Sequence, residues 1–322
     1  MRFNPKARLD TSQVEVRRGG GGGGGLPFPI PSGGGGMKVG GGIGGLIILL
    51  LILFLSMCQG GGGGGSSAFP FPMPDAPDSG AVDKSNVSGL PECKTGADAN
   101  ENRQCAMVGS VNSIQAFWTA ALPKYADVDY KLSKTNFFSG QTQSGCGPAT
   151  TAVGPFYCPI DKGVYLDTTF FRDMLQGQLG AKGGAFSEAY VLAHEYGHHI
   201  QDLLGTMNKV RTQQGPESDA VRLELQADCY AGLWGKYATQ VEDPNGEVFI
   251  QDLTDDDIAR AIDAAQAVGD DRIQQSTSGR VNPDQWTHGS AAARVYWFKQ
   301  GFSTGELDAC DTFRASDLHL NG

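Results

Sequence analysis

The chain has 322 residues and carries 25 lysines and arginines against 35 acids, a formal net charge of −10. Six of the basic residues and two of the acids precede residue 66, so the remainder holds 19 basic against 33 acidic side chains, net −14. That surplus argues against nucleic acid, which requires a basic face, and no nucleic-acid partner is expected.

Residues 1–38 read as a glycine-rich basic tail. Arg2, Lys6, Arg8, Arg17, Arg18 and Lys38 face only Asp10 and Glu15. The runs Gly19–Gly25 and Gly33–Gly36 offer no side chains to bury and a high backbone entropy, which predicts linkers. Ten unbroken apolar residues follow, Leu46-Ile-Ile-Leu-Leu-Leu-Ile-Leu-Phe-Leu55, within the uncharged stretch Val39–Cys58. A helix over 39–58 would reach roughly 30 Å, the thickness of bilayer hydrocarbon, so a single transmembrane helix is expected there. A cleaved signal peptide fits less well, because roughly 40 residues precede the apolar core and no small-x-small site follows it closely. The charge bias then puts the N-terminus in the cytoplasm and the body of the chain outside the cell membrane, periplasmic or extracellular.

Residues 59–90 read as a tether, with Phe69-Pro-Phe-Pro-Met-Pro74 imposing an extended path. The folded domain is expected over 91–322. Its six cysteines, Cys93, Cys105, Cys146, Cys158, Cys229 and Cys310, form an even set that suits disulfides on an oxidising side, although six allow 15 connectivities. Two twelve-residue spacings favour Cys93–Cys105 and Cys146–Cys158, which leaves Cys229–Cys310. A structural zinc site is the competing reading, but no C-x-x-C pair supports it.

Within this domain the pattern predicts a helix near Ser110–Tyr125, then strand-like pieces at Lys131–Phe138, Gly154–Cys158 and Gly163–Asp167. Helical patterns follow at about 169–180, 187–204, 217–240, 255–275 and 288–301. Thr254-Asp-Asp-Asp257 makes a good helix start. Strands followed by helices give an α+β order, a small antiparallel or mixed sheet beside a helical core.

The helical stretch Val191-Leu-Ala-His-Glu-Tyr-Gly-His-His-Ile-Gln201 carries the chemistry. His194 and His198 are four residues apart, so both imidazoles project from one face and can reach one metal ion. Glu195, about 100° around the helix, can approach a water at that ion without ligating it. This is the H-E-x-x-H arrangement of zinc hydrolases. Gly197 costs roughly 1 kcal/mol inside a helix, a local violation of the kind found at functional positions. A third ligand is needed. Gln201 and Leu204 exclude the longer three-histidine pattern, and Lys209 excludes an aspartate ligand after Gly205-Thr206. The next helix offers Glu224-Leu-Gln-Ala-Asp228, where Glu224 would complete a His₂Glu zinc site with one position open. Asp228, one turn on, would fix the tautomer of His194 or His198. A surface carboxylate pair is the bland alternative. Glu195 is expected to be the general base, and His288 is the candidate donor to a tetrahedral oxyanion. Arg294 and His199 are read as structural, and His319 has no visible context. Gly163–Asp167 is the expected sheet edge for an extended substrate.

With these residues in place, the chain resembles the neutral zinc metallopeptidase family of bacterial membrane-anchored proteins. The resemblance runs nearly end to end. It includes Leu9-Asp-Thr-Ser-Gln-Val-Glu-Val-Arg-Arg18, the glycine-flanked apolar span, Gly154-Pro-Phe-Tyr-Cys-Pro-Ile-Asp161 and Val164-Tyr-Leu-Asp167. It continues through His194-Glu-Tyr-Gly-His198, Glu224-Leu-Gln-Ala-Asp228 and Thr287-His-Gly-Ser290. Val16 stands where an acidic residue is expected. The resemblance implies a zinc-dependent endopeptidase fold, and the site residues point to a zincin-type core with a glutamate ligand. Together they give the expected function, a membrane-anchored zinc endopeptidase that cuts a peptide or protein substrate outside the cytoplasm, with Glu195 as general base. A non-catalytic, zinc-stabilised surface binding protein and a zinc amidase acting on cell-wall peptides are the competing functions.

Overall fold

A computed structural model of the chain describes residues 1–17 and 89–321. The glycine runs, the apolar segment 39–58 and nearly all of the tether lie outside the described residues. Among the described residues, no helix is long and apolar enough to cross a membrane.

The first strands come from the very start of the chain. Strand β1 (Arg2–Phe3) and strand β2 (Val14–Val16) precede helices α1 (Gly96–Glu101) and α2 (Arg103–Ala126). Strands β3 (Thr135–Phe138), β4 (Gln141–Ser144), β5 (Gly147–Thr150), β6 (Phe156–Cys158) and β7 (Gly163–Asp167) follow. A six-residue π-helix at Phe171–Gln176 replaces the longer helix expected at 169–180. Helices α3 (Ala185–Leu203) and α4 (Asp219–Tyr237) carry the H-E-x-x-H stretch and Glu224 respectively. Strand β8 (Ile250–Asp252) and helices α5 (Asp255–Ala267), α6 (Asp270–Ser278) and α7 (Ala291–Thr304) complete the order.

The main sheet is mixed and runs β2-β3-β7-β6, with β2, β3 and β7 parallel and β6 antiparallel to β7. This corrects the assignment of the substrate edge. Gly163–Asp167 is an interior strand whose residues are all buried, and β6 is the free edge on that side. An all-apolar or alternating pattern cannot separate interior from edge in strands this short. The expected helix at 255–275 is two helices, α5 and α6, broken at Val268–Gly269. Glycine suits the break because the backbones approach closely there. A Cβ on Gly269 would stand 2.5 Å from the backbone nitrogen of Ala291, so the start of α6 abuts the start of α7.

The core is built on helix packing. Trp118 of α2 and Trp234 of α4 are fully buried, and Trp234 Nε1 donates to Ser113 Oγ at 3.2 Å. α4 and α7 cross where glycines let the backbones touch. A Cβ on Gly232 would lie 2.0 Å from the Phe298 carbonyl oxygen, and one on Gly301 would lie 1.9 Å from that of Cys229. The three disulfides are Cys93–Cys105, Cys146–Cys158 and Cys229–Cys310, the pairing that spacing and elimination favoured. The last ties α4 to the C-terminal segment across 81 residues.

The largest departure from expectation is the N-terminus. Residues 1–17, read as part of a tail, belong to the folded body. Phe3, Ala7 and Val14 are buried, and the Phe3 ring fills the space over Gly109, where a Cβ would come within 2.6 Å of it. The Asn100 carboxamide bonds both backbone groups of Phe3, accepting from its N–H and donating to its carbonyl, each at 2.9 Å. Asn112 serves Asp10 in the same way, at 2.8 and 3.0 Å. Two asparagines thus add side-chain hydrogen bonds to a segment whose short strands pair with β8 and β3. Truncating a buried phenylalanine costs about 3–5 kcal/mol, whereas a change in a loose tail stays within about 0.5 kcal/mol. Phe3→Ala in the full chain is expected to show the larger loss in denaturant unfolding.

Candidate metal centre and its surroundings

The site forms where α3 lies against α4. Gly197 makes this approach possible, since a Cβ there would come within 3.0 Å of both Cα and the carbonyl oxygen of Ala227. The glycine that weakens α3 locally therefore lets α4 close, and Ala227 sits between Glu224 and Asp228 in sequence.

His194, His198 and Glu224 meet on the facing sides, with their ligand atoms within 4.8 Å of one another and all three residues buried. His194 Nε2 is 3.2 Å from Glu224 Oε2, and His198 Nε2 is 3.4 Å from Glu224 Oε1. The Glu224 carboxylate thus turns one oxygen to each ring nitrogen, at separations near the roughly 3.3 Å between neighbouring ligands at about 2.0–2.1 Å around a tetrahedral zinc. The other ring nitrogens are occupied. His194 Nδ1 is 2.9 Å from Asp228 Oδ1, and His198 Nδ1 is 2.8 Å from Gln201 Oε1. Each acceptor fixes the proton on Nδ1 and leaves Nε2 as a lone-pair donor, the form that a metal needs. The donor set fits zinc.

Sequence reasoning placed Asp228 beside a histidine, and the structure puts it at His194. It missed what holds Asp228. Arg294 donates to both its oxygens, Nε to Oδ2 at 2.8 Å and Nη2 to Oδ1 at 3.0 Å, and Tyr190 Oη donates to Oδ1 at 2.6 Å. Tyr190 lies one helical turn before His194, a spacing that could have drawn notice. Burial opposes ionisation of Asp228, yet Arg294 and His194 outweigh it and hold the carboxyl at about 2. Gln201, noted only for excluding another ligand pattern, donates to the Leu223 carbonyl at 2.7 Å and to Gln226 Oε1 at 3.1 Å. Gln226 Nε2 in turn donates to the Cys310 carbonyl at 3.0 Å. The Cys229–Cys310 disulfide thus anchors the relay that orients His198.

Glu195 lines the same cavity, with a volume of about 540 Å³, without taking part in the His₂Glu cluster. Burial pushes its carboxyl above the ordinary value, and His194 and His198 only partly offset this. For Glu224, burial acts in the same sense but His198, His288 and the histidine hydrogen bonds prevail and hold it well below the usual range. Two carboxylates of one site are therefore driven in opposite directions, the anionic one suited to a cation and the other to taking a proton.

His288 also reaches the cavity. Asp270, at the first position of α6, accepts the backbone N–H groups of Thr287, His288 and Gly289 at 2.7, 2.7 and 3.1 Å and faces His288 Nδ1 at 3.3 Å. Burial lowers the His288 pKa, but Glu224 and Asp270 overcome it and raise the value, which favours the donating form. Asp270 was hidden in the sequence because residues 255–275 read as one helix, so no helix start was expected there. His199 is a packing residue, with Nδ1 3.0 Å from Tyr157 Oη and Nε2 2.6 Å from the Lys131 carbonyl oxygen. His319 stacks on Tyr296, their rings 3.6 Å apart.

Removing Arg294 leaves the Asp228 carboxylate buried beside one fewer cation, and breaking a buried ion pair costs about 3–5 kcal/mol. Arg294→Met is expected to lose that much in denaturant unfolding. Asp228→Asn in the same chain should recover part of it, because the unpaired charge is then gone.

The sequence matches the family model "Putative neutral zinc metallopeptidase" over residues 1–313. The chain is 52% identical over 231 residues to the uncharacterized protein Rv2575 of Mycobacterium tuberculosis, covering 71% of this chain and 77% of that protein. It is 46% identical over 193 residues to the uncharacterized protein YpfJ of Escherichia coli K12, covering 58% and 63%. No solved structure matches. The family model spans the N-terminal strands, the His194–His198 helix and Glu224 together, and the chain belongs to this family of neutral zinc metallopeptidases.

Proposed function

We propose that the protein is a zinc-dependent endopeptidase acting outside the cytoplasm and held at a membrane by the apolar segment 39–58. The observation that carries this reading is the pairing of a His194–His198–Glu224 cluster with a separate buried carboxyl, Glu195, in one cavity. A purely structural zinc site has no need of such a base. The three disulfides support a location on an oxidising side.

His194, His198 and Glu224 would hold the zinc. When bound, the metal supplies Lewis acidity, polarising the scissile carbonyl and making the attacking water more acidic. Glu195 takes the proton from that water and passes it to the departing amine, and its raised pKa brings it closer to the working range of such a shuttle. His288, held by Asp270, donates to the oxyanion that develops on the carbonyl oxygen. The substrate lies extended along β6, because Gly154, Pro155, Phe156 and Tyr157 line the cavity at the sheet edge. Val191, Leu223, Met207, Phe170 and Met174 make the remaining wall largely apolar, which favours apolar side chains next to the cleaved bond.

The test uses the purified full chain and a diverse peptide library that includes cell-wall stem peptides, with zinc content measured in parallel. Wild type is expected to cleave internal bonds. Glu195→Gln should keep its zinc and lose about 10²–10⁴-fold in turnover, the usual share of general acid–base catalysis. Zinc-loaded wild type that cuts only stem peptides would shift the assignment to an amidase, and one that cuts nothing would favour a binding protein. His288→Ala should lower kcat about 10²–10³-fold with little change in KM, because its donation is realised in the transition state.

A further inference from the structure

The N-terminal segment and the metallopeptidase body form one folded unit, and this bears on how the chain meets the membrane. β2 pairs in parallel with β3 over Val14↔Thr135, Glu15↔Asn136 and Val16↔Phe137, and β1 pairs with β8. Asn4 Nδ2 donates to Glu247 Oε2 at 3.0 Å, and the Arg8 N–H donates to Asp243 Oδ2 at 2.7 Å. Partners of residues 1–17 therefore come from α1, α2, β3, β8 and the loop before β8. Withdrawing the segment would open a hole where Phe3 sits and strip the Asn100 and Asn112 carboxamides of their partners, losses that together rival a typical margin of stability.

The described residues run to Arg17 and resume at Gly89, and these two points are neighbours. A Cβ on Gly89 would stand 3.0 Å from Val16 Cγ1. The charges that predicted an inside N-terminus also have another use. The Arg17 guanidinium donates to the Gln143 carbonyl at 2.6 Å and lies 5.1 Å from the centre of the Tyr165 ring. A segment that crosses a bilayer once delivers its two ends to opposite faces, about 30 Å apart, and no linker lets a docked strand pass through hydrocarbon. We infer that residues 1–17 and 89–321 occupy one compartment, the one that holds the candidate metal site, which a single crossing of a membrane between them would not permit. With three disulfides in the body, that compartment is the oxidising one, and the N-terminus is exported with it.

Cysteine accessibility in the full chain tests this. In a Cys58→Ser background, single cysteines are placed at Glu15, whose side chain is 44% exposed, and at Ile160, which is 58% exposed. Spheroplasts carrying Glu15→Cys or Ile160→Cys are treated with a membrane-impermeant maleimide before and after permeabilisation. Equal labelling of the two before permeabilisation is expected. Labelling of Ile160→Cys at once but of Glu15→Cys only after permeabilisation would overturn the inference. Protection of both until permeabilisation upholds the single compartment and overturns the exported location. Ser12→Cys, also at an exposed position, gives the same readout should Glu15→Cys fail to accumulate.

Discussion

The contact between α3 and α4 at Gly197 and Ala227 is the constraint on which the site depends. Two histidines on one helix make only half of a tetrahedral site, and the remaining protein ligand has to arrive from another element. Glu224 reaches Nε2 of both histidines at 3.2 and 3.4 Å because the helix backbones approach more closely than any residue with a Cβ would allow. The same logic governs the crossing of α4 and α7, where Gly232 and Gly301 give way to carbonyl oxygens. α7 brings Arg294, and Arg294 holds the Asp228 that orients His194. Close packing at three glycines is thus the condition for the geometry of the candidate site.

The electrostatics follow from burial. His194, Glu195, Glu224, Asp228 and Arg294 all lie out of solvent, where unpaired charges are expensive and paired ones interact strongly. Asp228 has two hydrogen-bonded cationic or imidazole neighbours and stays anionic, Glu224 sits among three histidines and stays anionic, and Glu195 has weaker compensation and is pushed toward its protonated form. One helix therefore presents two candidate metal ligands and a carboxyl whose proton affinity is set by its surroundings. The hydrogen-bonded path from His198 through Gln201 and Gln226 to Cys310 extends the same order to a disulfide far away in sequence.

The N-terminal strands show where one-dimensional reading misleads. Basic residues before an apolar run carry the signature of an orientation signal, and that signature says nothing of whether Phe3 and Val14 have somewhere to pack. β2 is three residues long, and β1 two, too short for periodicity to register. Their partners, β3 and β8, lie more than a hundred residues away. Only the folded chain could show that Asn100 and Asn112 are shaped to receive them.

The sequence by itself determined the metal face. Spacing of four residues on a helix puts His194 with His198 and Glu224 with Asp228, because 3.6 residues per turn fixes which side chains share a side. It also favoured the cysteine pairs closed over twelve residues, which need only local chain reversal. The tertiary structure decided everything that depends on which surfaces meet. It chose β6 over β7 as the free edge, split 255–275 so that Asp270 could cap the His288 loop, and gave Tyr190, Gln201 and Arg294 their places around the histidines. Those outcomes are set by contacts between residues far apart in the chain, and no local periodicity encodes the distance between two packed helices.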